Sequence, residues 1–129
     1  MQVTRHGGWS PFESGDGAYL YYTQTAAAES SQPLWRISTS GGQPVKVLES
    51  VYNAAFALHQ QGISYAEQAS DNIRIQFYDF RSRTSTTIVR NIRSGGLFGG
   101  LTASPDGRTI LYAKRDAAVA DLMLVDNFR

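Results

Sequence analysis

Apolar and polar residues alternate along much of this chain. Ile73, Ile75 and Phe77 alternate with Arg74, Gln76 and Tyr78, and Val45 and Val47 flank Lys46. A period of two places successive side chains on opposite faces of a strand. Further strand-like runs cover 19–23, 34–38, 110–113 and 122–125. Turn-forming clusters separate them: Ser14-Gly15-Asp16-Gly17, Ser40-Gly41-Gly42 and Ser104-Pro105-Asp106-Gly107. These residues reverse the chain for different reasons: proline presets φ, aspartate bonds its own backbone, and glycine accepts positive φ. No stretch of about 10–12 residues carries a helical stripe. The best helix candidate, 25–29 around Ala26, Ala27 and Ala28, is short and reads better as a loop. The pattern therefore predicts an all-β chain built from antiparallel strands.

The chain also repeats itself. Glu13-Ser14-Gly15-Asp16-Gly17-Ala18-Tyr19-Leu20-Tyr21-Tyr22 lines up with Ala103-Ser104-Pro105-Asp106-Gly107-Arg108-Thr109-Ile110-Leu111-Tyr112, an offset of 90 residues (106 − 16). That is two units of the roughly 40–45 residues found in a four-stranded repeat. A degenerate copy lies between them. Phe56-Ala57-Leu58, Gln60-Gln61-Gly62 and Ile63-Ser64-Tyr65 keep the order strand, turn, strand without the Asp-Gly pair. The following strand recurs as Leu34-Trp35-Arg36-Ile37, Ile75-Gln76-Phe77-Tyr78-Asp79 and Leu122-Met123-Leu124-Val125-Asp126. Outer strands then follow at 44–48 and 86–90. Small residues, Ala54, Ala55, Gly99 and Gly100, suit a crowded innermost strand.

At these residues the chain resembles the TolB-type, WD-repeat-like β-propellers of bacteria, most clearly in Ser104-Pro105-Asp106-Gly107-Arg108 followed by Ile110-Leu111-Tyr112. The resemblance implies about three four-stranded antiparallel blades, a partial propeller. The expected division is one domain over 1–129. Residues 1–8 form the outer strand of a preceding or closing blade, centred on Gln2-Val3-Thr4-Arg5. Blades follow at 9–50, 51–93 and 94–129, the last lacking its outer strand. The opening Val3-Thr4-Arg5 and the close from Asp121 to Arg129 are also similar to the C-terminal propellers of multidomain bacterial regulators. Propellers of this type are non-enzymatic interaction platforms. The resemblance thus implies a scaffold or sensory end of a larger bacterial protein, binding a protein or small ligand. The partner is another protein or the remaining blades, with a homodimer completing a ring as one form. Open blade faces need a neighbour.

Composition narrows the class. Hydrophobic residues make up 42% and charged residues 18% of the 129, the balance of a folded chain and not of a disordered tail. A net charge of +1 supplies no field that draws the chain to nucleic acid, so none is expected to be bound directly. With no cysteine there is no disulfide, thiolate metal site or cysteine nucleophile. No apolar run reaches the roughly 18–20 residues of a membrane helix, so no membrane insertion is expected. Residues 1–8 lack the apolar core of a signal peptide. The compartment stays open, and a parent protein could be membrane-tethered or periplasmic.

Candidate chemistry is sparse. His6, beside Gly7-Gly8, and His59, near a turn, both read as surface-loop residues outside any metal-ligand spacing. A triad of Ser10, His59 and an aspartate lacks the Gly-x-Ser-x-Gly elbow. Ser94-Gly95-Gly96-Leu97-Phe98-Gly99-Gly100 lacks the Lys-Ser/Thr ending of a phosphate loop. Arg74, Arg81, Arg83, Arg90 and Arg93, opposed by Asp71 and Asp79, read as a solvated rim that guards an edge, ahead of an anion patch. Asp116, Asp121 and Asp126 do not follow a calcium-loop spacing. Tyr21, Tyr22, Trp35, Phe77 and Tyr112 read as packing residues. The innermost strands offer Trp9, Phe12, Glu13, Asn53, Phe56 and Leu101, with one carboxylate among them. No catalytic residue, cofactor or metal is expected. The alternative is a propeller-type hydrolase or lyase with a channel active site, resting on Glu13. The residues singled out are structural turns: Asp16, Gly17, Ser104, Pro105, Asp106 and Gly107. A ligand would meet the loops at 24–32, 49–53, 67–72, 90–98 and 115–120.

Overall fold

A computed structural model describes residues 1–25, 30–93, 97–116 and 119–128. The chain divides into two compact units, Met1–Ala54 and Ala55–Arg129. The first holds one antiparallel sheet of β1 (Trp9–Glu13), β2 (Tyr19–Thr23), β3 (Ser31–Ser38) and β4 (Val45–Tyr52), in that order. The second holds two sheets. One runs β5 (Phe56–Leu58), β6 (Gly62–Ala69), β7 (Asn72–Asp79) and β8 (Ser85–Arg93). The other has three strands, β9 (Leu97–Ala103), β10 (Thr109–Asp116) and β11 (Val119–Asp126), with β9 and β11 at its edges. None of the sheets closes on itself, and no helix occurs among the described residues. Within the second unit β5 lies alongside β9. Phe128, just past β11, meets the rings of His59 and Phe77 edge-on at 6.2 and 5.8 Å between centroids.

The three sheets share one register. Tyr22 pairs with Trp35, Tyr65 with Gln76, and Tyr112 with Met123. The strand before each tyrosine matches as well: Glu13 faces Leu20, Leu58 faces Ile63, and Ala103 faces Ile110. All three tyrosines are buried. The first two sheets share a finer feature. Strand β4 slips on β3 between the pairs Gln32↔Val51, Leu34↔Leu48 and Trp35↔Lys46, and β8 slips on β7 between Ile73↔Ile92, Ile75↔Val89 and Gln76↔Thr87. These are the same bulges at the same repeat positions. Each inserts a residue, bends the outer strand and increases its twist.

The core is made of the alternating apolar residues. Leu34, Val51, Ile63, Ile73, Ile75, Ile92 and Ile110 are fully buried. Burial of such a side chain contributes about 1.5–3 kcal/mol. Several expectations need correction. Gln2-Val3-Thr4-Arg5 is not a strand. The stretch 67–72, expected to be a loop, is mostly ladder: β6 and β7 pair through Ala69↔Asn72 and leave Ser70-Asp71 as the turn. Likewise β4 continues to Tyr52 and β8 to Arg93. Polar residues fill these strand ends, but the ladder hydrogen bonds do not depend on side-chain polarity. The helix candidate at 25–29 falls largely outside the described residues, as do residues 117–118 of the expected loop at 115–120.

Candidate functional site

The residues singled out as structural turns lie in two copies of one hydrogen-bonded knot, in which Ser14 is the counterpart of Ser104. In the first sheet Ser14 Oγ donates to Asp16 Oδ1 at 2.6 Å, and the Ala18 amide donates to that oxygen at 3.0 Å. The Tyr19 amide donates to Ser14 Oγ at 3.0 Å, and the Gly17 amide to Ser14 O at 2.8 Å. In the third sheet Ser104 Oγ donates to Asp106 Oδ1 at 2.5 Å, the Arg108 amide to that oxygen at 3.0 Å, and the Thr109 amide to Ser104 Oγ at 3.1 Å. The Gly107 amide reaches Ser104 O at 2.9 Å. Gly17 and Gly107 take φ of +72° and +67°, the left-handed region that glycine enters without a Cβ clash. Pro105 stands where the first turn has Gly15. The bonds from Ser14 and then Ala18 hold the Asp16 carboxyl below its ordinary range. The middle sheet replaces this knot with a tighter reversal over Gln60-Gln61, closed by the His59 amide on Gly62 O at 2.8 Å.

A polar stripe crosses the second sheet. Glu67 on β6 accepts from Arg74 Nε at 2.7 Å and from Gln76 Nε2 at 2.8 Å. Gln76 Oε1 accepts from Thr87 Oγ1 on β8 at 2.8 Å, and Tyr65 OH meets Ser85 Oγ at 2.8 Å. Burial pushes the Tyr65 phenol up, and the Ser85 bond partly offsets this; burial likewise raises Tyr22 and Tyr112. Arg74 thereby leaves the arginine set and joins a part-buried network on the sheet. Arg81, Arg83, Arg90 and Arg93 are exposed, the first two in the β7–β8 turn and the others along β8. Asp79 organises that turn through its Oδ1, which accepts from the Arg81 and Ser82 amides at 2.7 and 3.0 Å. The stripe was legible in part, since Arg74 and Gln76 share a face by period two. Its partner Glu67 lay in a stretch read as loop.

His59 corrects the surface-loop reading. It is buried, and its Nε2 lies 2.5 Å from Ser64 Oγ, itself fully buried. Its ring packs edge-on against Phe77 at 5.4 Å. The serine it meets is Ser64, in place of Ser10. This pair ties the turn to β6, and both side chains are buried. His6 is exposed. Of the inner-strand residues, Trp9, Phe12 and Glu13 are exposed, whereas Phe56 and Leu101 are buried. Of the expected packing residues, Tyr21, Tyr22, Phe77 and Tyr112 are buried. Trp35 is half-buried, with its Nε1 enclosed and without a hydrogen-bond partner among the described residues. In the first unit a cavity of about 200 Å³ is lined by Val3, Thr4, Gly8, Pro11, Leu20 and Tyr22. It is smaller than the roughly 300–1,000 Å³ of small-molecule sites. Asp121 is exposed, and Asp126 accepts from Thr109 Oγ1 at 2.6 Å. No cluster of three potential metal ligands occurs among the described residues.

The strand read from sequence as lacking an outer partner, β11, lies at the edge of its three-stranded sheet; how exposed its apolar residues are did not read from sequence. Leu122 and Leu124 are 73% and 64% exposed, as is much of Val119. Their counterparts on β7, Ile75 and Phe77, are buried. Nothing in the residue types marks the difference, because both strands carry the same apolar repeat. No family model matches the chain, and no curated protein matches it.

Proposed function

We propose that this chain is a partial β-propeller of TolB-type, WD-repeat-like build. It serves as a non-catalytic interaction module, the scaffold or sensory end of a larger bacterial protein, and it binds a protein or small ligand. The propeller reading is supported by the shared register of the three sheets, the twice-built Ser-x-Asp-Gly knot, and the adjacency of β5 and β9. The observation that carries the function is the exposed apolar pair Leu122 and Leu124 on an edge strand. Exposed apolar surface of that kind marks an interaction site.

The test is a screen of the purified chain against ester, peptide and glycoside substrates. No turnover above a heat-denatured control is expected. Turnover that disappears in Glu13→Gln would establish the hydrolase or lyase alternative and overturn the reading.

A further inference from the structure

We infer that the outer edge of β11 captures an extended, basic strand of a partner polypeptide, in the antiparallel register that β8 adopts on β7. The inference rests on the interaction-module reading and gives it a site and a partner class.

The backbone defines the edge. Alternate residues of an antiparallel strand direct their N–H and C=O to the same neighbour. The Asn127 amide donates to Arg108 O at 3.0 Å, so Val125, Met123 and Asp121 bond inward to β10. Leu122, Leu124 and Asp126 therefore direct their amides and carbonyls outward. Their counterparts Ile75, Phe77 and Asp79 face β8, where the Asp79 amide donates to Thr84 O at 3.0 Å. Peptides add to such edges through main-chain bonds, and side chains supply the selectivity.

The two complete sheets show what such a strand looks like. Its apolar residues stand three apart across a bulge: Leu48 and Val51 on β4, Val89 and Ile92 on β8. Between them lie Glu49-Ser50 or Arg90-Asn91, and Asn91 takes φ of +60°. Charge then selects between the two templates. Strand β11 carries Asp121 and Asp126 and no basic residue, whereas β8 carries Arg90 and Arg93 and no acidic one. Asp121 holds the register position of Arg74, across from the Arg90-Asn91 bulge. A basic residue in the bulge meets the Asp121 carboxylate. A second copy of β11 would instead bring like charges together. The occupant is thus an extended segment of the pattern aliphatic, basic, Asn or Ser, aliphatic.

The probe is a synthetic nonapeptide with the sequence of β8, Ser-Thr-Thr-Ile-Val-Arg-Asn-Ile-Arg, titrated into the full chain while amide exchange is followed by NMR. Binding should slow exchange at Leu122, Leu124 and Asp126 and leave Met123 and Val125, already bonded, nearly unchanged. Arg90→Glu in the peptide should weaken binding about fivefold to tenfold. Asp121→Lys in the chain should weaken the original peptide similarly and restore the Glu peptide. The same melting temperature for Asp121→Lys and the parent chain would show that the fold is kept. If that variant is unfolded, the Arg90→Glu peptide alone still decides the charge question. Unslowed outward amides, or binding indifferent to both charge reversals, would overturn the inference. So would a dimer that protects those amides without peptide, since a second copy would then be the occupant. The substrate screen is a separate readout, so failure of the function and failure of this site are distinguishable.

Discussion

Ile75 and Phe77 on β7 and Leu122 and Leu124 on β11 stand at matching positions of matching sheets, and their surroundings differ completely. Strand β7 lies between β6 and β8, and Phe77 carries His59 and Phe128 against its ring. Strand β11 has one neighbour, β10. The first pair is buried and the second exposed, although all four residues are large and apolar. In a repeat of this kind burial belongs to the neighbour and not to the residue. Stability is then largely a sum of within-sheet terms and contacts with the next element. The same sequence pattern builds a core in one sheet and a contact surface in the other.

The sharpest way to break this comparison is to truncate the side chain at the equivalent position of both strands. Ile75→Ala removes a fully buried side chain and should cost about 2–5 kcal/mol in urea unfolding. Leu122→Ala removes an exposed one and should stay within about 0.5 kcal/mol. Equal losses would mean that the β11 face is covered in solution.

A second comparison sets the serine–aspartate knots against positions that lack their geometry. Gly17→Val and Gly107→Val force a β-branched residue into positive φ and should each cost about 1–3 kcal/mol in thermal unfolding. Gly15→Val, in the same turn, meets nothing within 4 Å and should be nearly silent. A large effect at Gly15 would point to crowding, in place of φ, as the origin of the sensitivity.

These contrasts show what the sequence could carry. The alternation at 73–78 and the Asp-Gly turns specify local structure through period and φ, and both read directly. The equivalence of Leu34, Ile75 and Leu122, drawn from residue types, reappears as equal positions in the strand ladders. The bulges did not read, because Glu49-Ser50 and Arg90-Asn91 hold no glycine or proline to mark them. His59 did not read because its cover, Phe77 and Phe128, is remote in sequence. The open edge of β11 reads from the repeat, whose third unit lacks an outer strand, and not from the strand's own residues, where a missing neighbour leaves no trace.

The fourth strand also changes chemistry within the sheet. Tyr65 meets Ser85 on β8, so Tyr65→Phe should cost about 0.5–1.5 kcal/mol at neutral pH. Tyr112 sits in the sheet without such a strand, and Tyr112→Phe should cost less. Both phenols are raised by burial above the ordinary value of 10.0. The unfolded chain therefore releases these protons first, and stability should fall as pH rises beyond about 10. Each Phe variant should flatten that alkaline slope in unfolding measured across the range. An unchanged slope would mean the phenols are not what the folded state protects.

The smallest effect separates the knot at Ser14 from the plain reversal at Gln60-Gln61, which has no titratable group. The Asp16 carboxyl lies fully at the surface, and the Ser14 hydroxyl, followed by the Ala18 amide, holds its pKa below 3.8. A depressed carboxylate pKa stabilises the fold above the unfolded value, and that contribution fades as pH falls through the folded one. The Asp16 side-chain carbon, followed by NMR, should titrate below 3.8 in the parent chain. Ser14→Ala removes the larger cause and should move the midpoint back towards 3.8, with little change in melting temperature at pH 7. The second sheet should show no corresponding acid step at its Gln60-Gln61 turn. If the Asp16 midpoint stays put, the amide of Ala18 orders the carboxylate alone. The serine would then act only through its acceptor role towards the Tyr19 amide.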